Sequence, residues 1–258
     1  MRIAWSGLAD SKYYHYIAKY CIPSWNKLPG TKYIVHDSND IIDPNFTIID
    51  WEYSYNRSNK FTTFCNRTKP VNFWRKMQSQ IWALKNLRNY DWVVLLDTDI
   101  EVLDFNESEF KKILDEIRKT EVIWATGESQ KLKLDAGHII VNMRDSRLND
   151  LIFDYENIWE SGKIFELDRY YDGHAVESLI KTKYPSYKIK NTDHGGGLHT
   201  YSIGTVHYGS KIPKLLRALY HNTTNLMVEE IIERKSKVVD SKESIDLLVK
   251  ELNERNIN

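Results

Sequence analysis

Apolar positions along the chain fall into short, dense runs separated by longer stretches in which they recur every three or four residues. Arg2–Ser6 (RIAWS) predicts a first strand, and a helix over about 12–26 follows, ended by Pro29-Gly30. Tyr33–His36 and Phe46–Trp51 are β-branched and aromatic runs flanked by Asp and Asn, which predicts two further strands. From about 71 to 88, Trp74, Met77, Ile81 and Leu84 share one helical face, with Lys76, Lys85 and Arg88 largely off it. Trp92–Leu96 (WVVLL) is apolar at every position, as suits a strand covered on both faces in a largely parallel sheet. Beyond it the pattern predicts helices over about 107–119, 147–161 and 172–182. Strands are predicted at Val122–Ala125, His138–Met143 and Ile203–Tyr208, then a helical C-terminal region with Ile245, Leu247, Leu248 and Leu252 in its last helix.

The order β-α-β-β-α-β-α-β-β-α predicts an α/β sandwich with helices on both faces of a mixed sheet. Ligands of such sheets bind outside the carboxyl ends of the strands, so chemistry is expected just after the apolar runs. No internal repeat and no linker rich in Pro, Gly or Ser interrupts the pattern.

Composition narrows the class. At 258 residues the chain is long enough for one large domain or two sharing a core, and Gly and Pro are too few for a disordered or collagen-like chain. Cys21 and Cys65 cannot build a disulfide framework and lack zinc-ribbon spacing, which suggests thiols in a reducing compartment. No run approaches the roughly 18 apolar residues of a membrane helix, and the N-terminal stretch does not read as a signal peptide. No membrane partner and a cytoplasmic location are therefore expected. The excess of Lys over Arg, with many Asn and Ile, fits an AT-rich coding sequence, viral or bacterial. Formal net charge is zero, which argues against a partner held by bulk electrostatics. The charge is nonetheless segregated: residues 53–90 carry eight bases and no acid, whereas residues 91–177 have a net charge of −11.

Asp97-Thr98-Asp99 directly follows the run Val93–Leu96. As a tripeptide the pattern arises by chance. At the exit of a central strand, however, two carboxylates face the ligand crevice, where their hard oxygens suit Mn²⁺ or Mg²⁺ and, through it, phosphate. The bland alternative is a pair of solvated loop acids. His207-Tyr208-Gly209-Ser210-Lys211 follows another strand-like run; His207 can offer an imidazole to Mn²⁺ and Lys211 a charge to a diphosphate. Taken alone, they read as a structural histidine and a surface lysine. His194-Gly195-Gly196-Gly197-Leu198-His199 reads equally as a mobile lid or a surface hairpin, with a zinc site from His194, His199 and His207 unsupported by spacing. The basic segment 53–90, interleaved with aromatics, suits sugar or nucleic acid, although Lys85 and Arg88 read as a solvated helix face.

Four stretches together resemble the GT-A fold glycosyltransferases, and among them the retaining, glycogenin-like family 8. Asp10-Ser11-Lys12-Tyr13 is similar to the family's D-x-x-Y, Asp97-Thr98-Asp99 to its DxD, Asp135–Asn142 (DAGHIIVN) to its N-x-G-v-x-l-x-N block, and His207–Lys211 to its H-F-x-G-x-x-K block. The resemblance covers about residues 1–215. It implies a Rossmann-like GT-A α/β/α sandwich with a mixed, mostly parallel central sheet, formed by residues 1–215, and leaves 216–258 as a helical extension packed on it. It implies a metal-dependent transferase moving a hexose from a UDP-sugar to an acceptor hydroxyl, with retention. Asp97, Asp99 and His207 become the ligands of Mn²⁺ or Mg²⁺. Asp10 and Tyr13 hold the nucleoside, and Asp97 and Lys211 serve the diphosphate. Physical reasoning adds Arg75 or Lys76 as a further cation for the leaving group. Asp135 lies near the donor sugar, and Asp135 and Asp172 are the catalytic candidates; with inversion instead, Asp135, Asp172 or Glu177 would serve as base.

Two departures stand out: Asp172-Gly173-His174 replaces the family's Asp-Gln, and Asp135 stands where Asn is common. The acceptor is open among a glycan, a protein side chain and a modified DNA base. Two other readings compete. One is a haloacid-dehalogenase-type phosphatase, disfavoured by Glu101 at the offset where Thr or Val is wanted; the other is a non-catalytic nucleotide-sugar-binding module.

Overall fold

A computed structural model describes residues 1–10, 14, 18–37, 45–50, 70–128, 135–167, 171–193, 198–200 and 203–207. The predicted helical extension 216–258, the Gly-rich stretch 194–197, Tyr13, Lys211 and the first part of the basic segment lie outside the described residues.

The chain alternates as expected, with additions. Strand β1 (Ile3–Leu8) leads to a short helix α1 (Lys19–Cys21) and a 3-10 turn (Ile22–Lys27), then to β2 (Thr31–His36) and β3 (Thr47–Asp50). Helix α2 (Pro70–Asn86) precedes β4 (Trp92–Leu96), β5 (Ile100–Phe105), α3 (Glu107–Arg118), β6 (Trp124–Glu128) and β7 (Asp135–Asn142). Then come α4 (Leu148–Glu160), α5 (Asp172–Thr182), β8 (Ser186–Asp193), β9 (Leu198–Thr200) and β10 (Ile203–His207).

The strands form one sheet in the order β3-β2-β1-β4-β7-β6-β8-β9-β10-β5. The pairings β1–β2, β2–β3, β1–β4 and β6–β8 are parallel, while β7 runs against both β4 and β6. Six strands of the main body therefore share one direction with β7 reversed among them, the mixed, mostly parallel sheet that the alternation predicts.

The unbroken WVVLL run is explained by what covers it. Val93 and Leu95 join Met77, Ile81, Leu151 and Val176 in a core under α2, α4 and α5. Trp92, Val94 and Leu96 join Trp25, Phe110, Leu114 and Ile117 in a second core under the 3-10 turn and α3. Alternate side chains go to opposite faces, so a strand with a hydrophobic core on each side has no polar position. At about 25 cal/mol per Å² of buried apolar surface, these two cores are the main stabilising term of the sandwich.

Three expectations need correction. The helix expected over 12–26 is helical in its described part but not one regular α-helix: Tyr14 and Ala18 lie in wider π-type turns, α1 follows, and a 3-10 turn ends it. Pro23 at the start of that turn has no N–H to give, and the Leu28 N–H bonds back to Trp25 O at 2.9 Å, a three-residue spacing. The segment after Asp99 is a strand, β5, paired antiparallel with β10. The stretch between the helix predicted over 172–182 and the strand predicted at Ile203–Tyr208 contains β8 and β9.

Candidate active site

The DTD turn is held from three sides. Its Asp97 N–H donates to Gly137 O at 2.9 Å, which ties it to β7, and the Ile100 N–H donates to Asp97 O at 3.0 Å, which closes it. Thr98 Oγ1 donates to Leu8 O at 2.6 Å, joining it to the end of β1. That approach requires Gly7: a Cβ there would stand 2.7 Å from Thr98 Cγ2 and 2.8 Å from both Leu96 O and the Trp25 ring. Thr98 and Asp99 are buried, and Asp97 is partly exposed.

Antiparallel register brings the fourth motif to the same turn. His207 pairs with Ile100, the residue after Asp99, although the two lie far apart in sequence. The carboxylate oxygens of Asp97 and Asp99 are hard donors of the kind that suits Mn²⁺ or Mg²⁺. Among the described residues, which do not include the His207 side chain, no three His, Cys, Asp or Glu side chains converge.

The centre of the site is Lys76, in the second turn of α2. Its Nζ lies 2.6 Å from Asp97 Oδ1 and 2.5 Å from Asp172 Oδ2, and 3.5 Å from Ala136 O. Burial alone pushes this ammonium down; the Asp172 and Asp97 carboxylates outweigh it and hold the group well above the ordinary lysine value. Asp172 opens α5 but does not cap it; its buried carboxylate is turned to Lys76. One turn further along α2, buried Gln80 accepts a hydrogen bond from Tyr155 OH at 2.7 Å. Burial first, and then the Asp172 carboxylate, push that phenol well above its usual range.

Arg75 points the other way: its Nη1 is 3.8 Å from Asp10 Oδ2, at the end of β1. Asp135 begins β7 beside Ala136, but its side chain is outside the described residues. Thus Asp10, Arg75, Lys76, Asp97, Asp99 and Asp172 gather along the exits of β1 and β4 and the entry of β7, with the His207 backbone adjacent. Glu177 is paired instead with Lys181 at 2.7 Å on α5.

Among the described residues, two bases of the positive stretch pair with acids of the negative one: Lys76 with Asp97 and Asp172, and Lys85 with Glu156 of α4 at 2.9 Å. Sequence reasoning named Lys76 only as an alternative to Arg75 and missed Gly7, Gln80 and Tyr155. Gln80 carried a signal: a polar residue one helical turn after Lys76 and so on the same side of α2.

No protein-family model matches the chain, and no curated protein sequence matches it. Among solved structures, the apo form of the glycosyltransferase GlyE from Streptococcus pneumoniae TIGR4 is similar over 72% of this chain and 45% of that one, with a TM-score of 0.44 and 13% identity. The chain thus spans less than half of that protein's length.

Proposed function

We propose that the protein is a metal-dependent glycosyltransferase that moves a hexose from a UDP-sugar to an acceptor hydroxyl. The observation that carries this reading is the lysine-bridged carboxylate pair at the exit of β4: Lys76 between Asp97 and Asp172, with Asp99 buried beside them. Opening a glycosidic bond to a nucleoside diphosphate asks the protein for fixed positive charge at the departing phosphates more than for a covalent partner. Lys76 is a pre-oriented ammonium, and Lys211 of the His207–Lys211 block would add a second cation for the diphosphate. Asp10, at the end of β1 and paired with Arg75, is assigned to the nucleoside together with Tyr13. When bound, Mn²⁺ or Mg²⁺ on Asp97, Asp99 and His207 would supply further Lewis-acid neutralisation of the leaving group. Asp172, and Asp135 at the start of β7, are the carboxylates assigned to the transferred sugar. Asp172 orients Lys76, and with retention the departing phosphate takes the acceptor proton.

The test is calorimetry of UDP with Mn²⁺, followed by UDP release from a panel of UDP-sugars. Wild type is expected to bind UDP only with the metal and to release it from at least one donor. Asp97→Asn and Asp99→Asn should do neither while keeping the wild-type melting temperature to within a few degrees. A wild type that neither binds UDP with Mn²⁺ nor consumes any donor would overturn the reading; binding without turnover would favour a nucleotide-sugar-binding module.

A further inference from the structure

We infer that Phe73, Tyr171 and His174 form the acceptor subsite of this cleft and that it receives a pyranose ring; the inference deepens the transferase reading and rests on it. The Phe73 and Tyr171 rings lie 4.9 Å apart at 59°, and the Tyr171 and His174 rings 6.0 Å apart at 69°. All three are partly exposed. Phe73 is one helical turn before Lys76, and Tyr171 immediately precedes Asp172, so the 2.5 Å Lys76–Asp172 contact fixes the rings beside the charged centre.

Position across the sheet assigns the ligand. Asp10 leaves β1, Asp97 leaves the neighbouring β4, and Ala136 lies at the start of β7, the next strand over. Arg75 turns to Asp10 and Lys76 to Asp97, Ala136 O and Asp172. The nucleoside end of the donor therefore lies toward β1 and the sugar end toward β7 and α5. An acceptor has to meet the transferred sugar from the side away from the nucleoside, and the three rings stand on that side.

Their chemistry fits a pyranose, which has a C–H face and a rim of hydroxyls. Phe73 and Tyr171 supply an apolar wall, while the Tyr171 hydroxyl and the His174 imidazole supply hydrogen-bonding handles. Gly173, between the two motif residues, agrees with this. Its φ is not positive, and a Cβ there would meet Ala136 Cβ at 3.5 Å, an ordinary contact. Neither backbone conformation nor packing against Ala136 demands glycine there, despite its cost within a helix. Among the described residues beyond its own helix, no atom apart from Ala136 lies within 4 Å of where a Cβ would stand, so the surface of α5 beside the rings is open to an acceptor ring.

Saturation-transfer NMR on the full chain with UDP and Mn²⁺ tests this, using lactose, maltose and cellobiose as probes and ring-free sorbitol as the control. The expected result is saturation of ring protons of at least one disaccharide and none of sorbitol. Tyr171→Ala should weaken that sugar by about tenfold, the loss of one stacked ring. Gly173→Leu, which fills the space with a better helix former and keeps every ring, should weaken it at least as much. Thermal melts of both variants report folding. Three results would overturn the subsite: no disaccharide signal from UDP-bound wild type, an undiminished signal in folded Gly173→Leu, or displacement of the sugar by excess uridine, which would give the rings to a nucleobase. Failure of wild type to bind UDP overturns the transferase reading itself, a result calorimetry separates from the other three.

Discussion

Lys76 Nζ stands 2.5 Å from Asp172 Oδ2, joining the second turn of α2 to the first residue of α5. The same ammonium is 2.6 Å from Asp97 Oδ1, so one cation fixes two helices and the exit of the central strand. The two partners are unequally shielded: the Asp172 side chain is 7% exposed and that of Lys76 21%. The carboxylate is therefore the group that suffers most if the pair is broken.

Lys76→Met is expected to destabilise the fold by about 3 kcal/mol, because it leaves Asp172 buried without its counter-charge. The double variant Lys76→Met/Asp172→Asn, which removes both charges, should recover more than half of that loss. Urea unfolding at neutral pH measures both. Equal instability of the single and double variants would show that the pair is not what holds α5 to α2. The sign against pH follows from the raised lysine value: its contribution is complete below the ordinary lysine range and is lost only as pH rises beyond it.

Gly7→Ala should cost about 2 kcal/mol, since the new methyl would lie 2.7–2.8 Å from Thr98, a main-chain oxygen and the Trp25 ring, none of which is a flexible side-chain end. The damage should also reach function, because the displaced Thr98 carries Asp97 and Asp99 with it. The measurement is a thermal melt together with UDP–Mn²⁺ calorimetry; a variant with wild-type UDP affinity would show that the turn is positioned independently of β1.

Tyr155→Phe removes the hydroxyl that donates to Gln80 and leaves that buried amide oxygen without its hydrogen bond. A loss of about 1–2 kcal/mol is expected. Gln80→Leu/Tyr155→Phe, in which both polar groups are gone, should lose less than the two single variants together, and a double-mutant cycle from urea unfolding reads the difference directly.

Much of the frame was legible because it is written in single segments. Trp92–Leu96 announced a two-sided strand, and Trp74, Met77, Ile81 and Leu84, all buried, announced the inward face of α2. The DTD turn was legible for the same reason, since it follows such a run. β5 is legible as well: Ile100 and Val102 are buried on either side of partly exposed Glu101, a period of two that begins directly after the motif. The lysine bridge was not legible. Lys76, Asp97 and Asp172 belong to three segments, and only the reversed β7, which sets α5 against α2, brings them together. Nothing in a linear pattern distinguishes Lys76 from Arg75; the helix turns one toward Asp172 and the other toward Asp10.

His138 provides the last test, of a group buried in the sheet itself. It lies in β7 opposite Leu96 of β4 and is 3% exposed, and its Nε2 has no hydrogen-bond partner among the described residues. Burial pushes its imidazole down to about 4 from the ordinary 6.5. Below pH 6.5 the unfolded chain therefore binds a proton that the folded chain refuses, and stability falls as the solution is acidified until the folded state also protonates near pH 4. At about 1.4 kcal/mol per pH unit, the loss between pH 7 and pH 4.5 should approach 3 kcal/mol. Carboxylates held low by partners, such as Asp91 and Asp145, add their own acid sensitivity, so the comparison is with His138→Leu, which retains theirs and lacks the histidine. Urea unfolding at pH 7, 5.5 and 4.5 should show the variant losing less stability than wild type at each step. Parallel slopes for the two proteins would mean that His138 finds a proton acceptor in the folded state and is charged there.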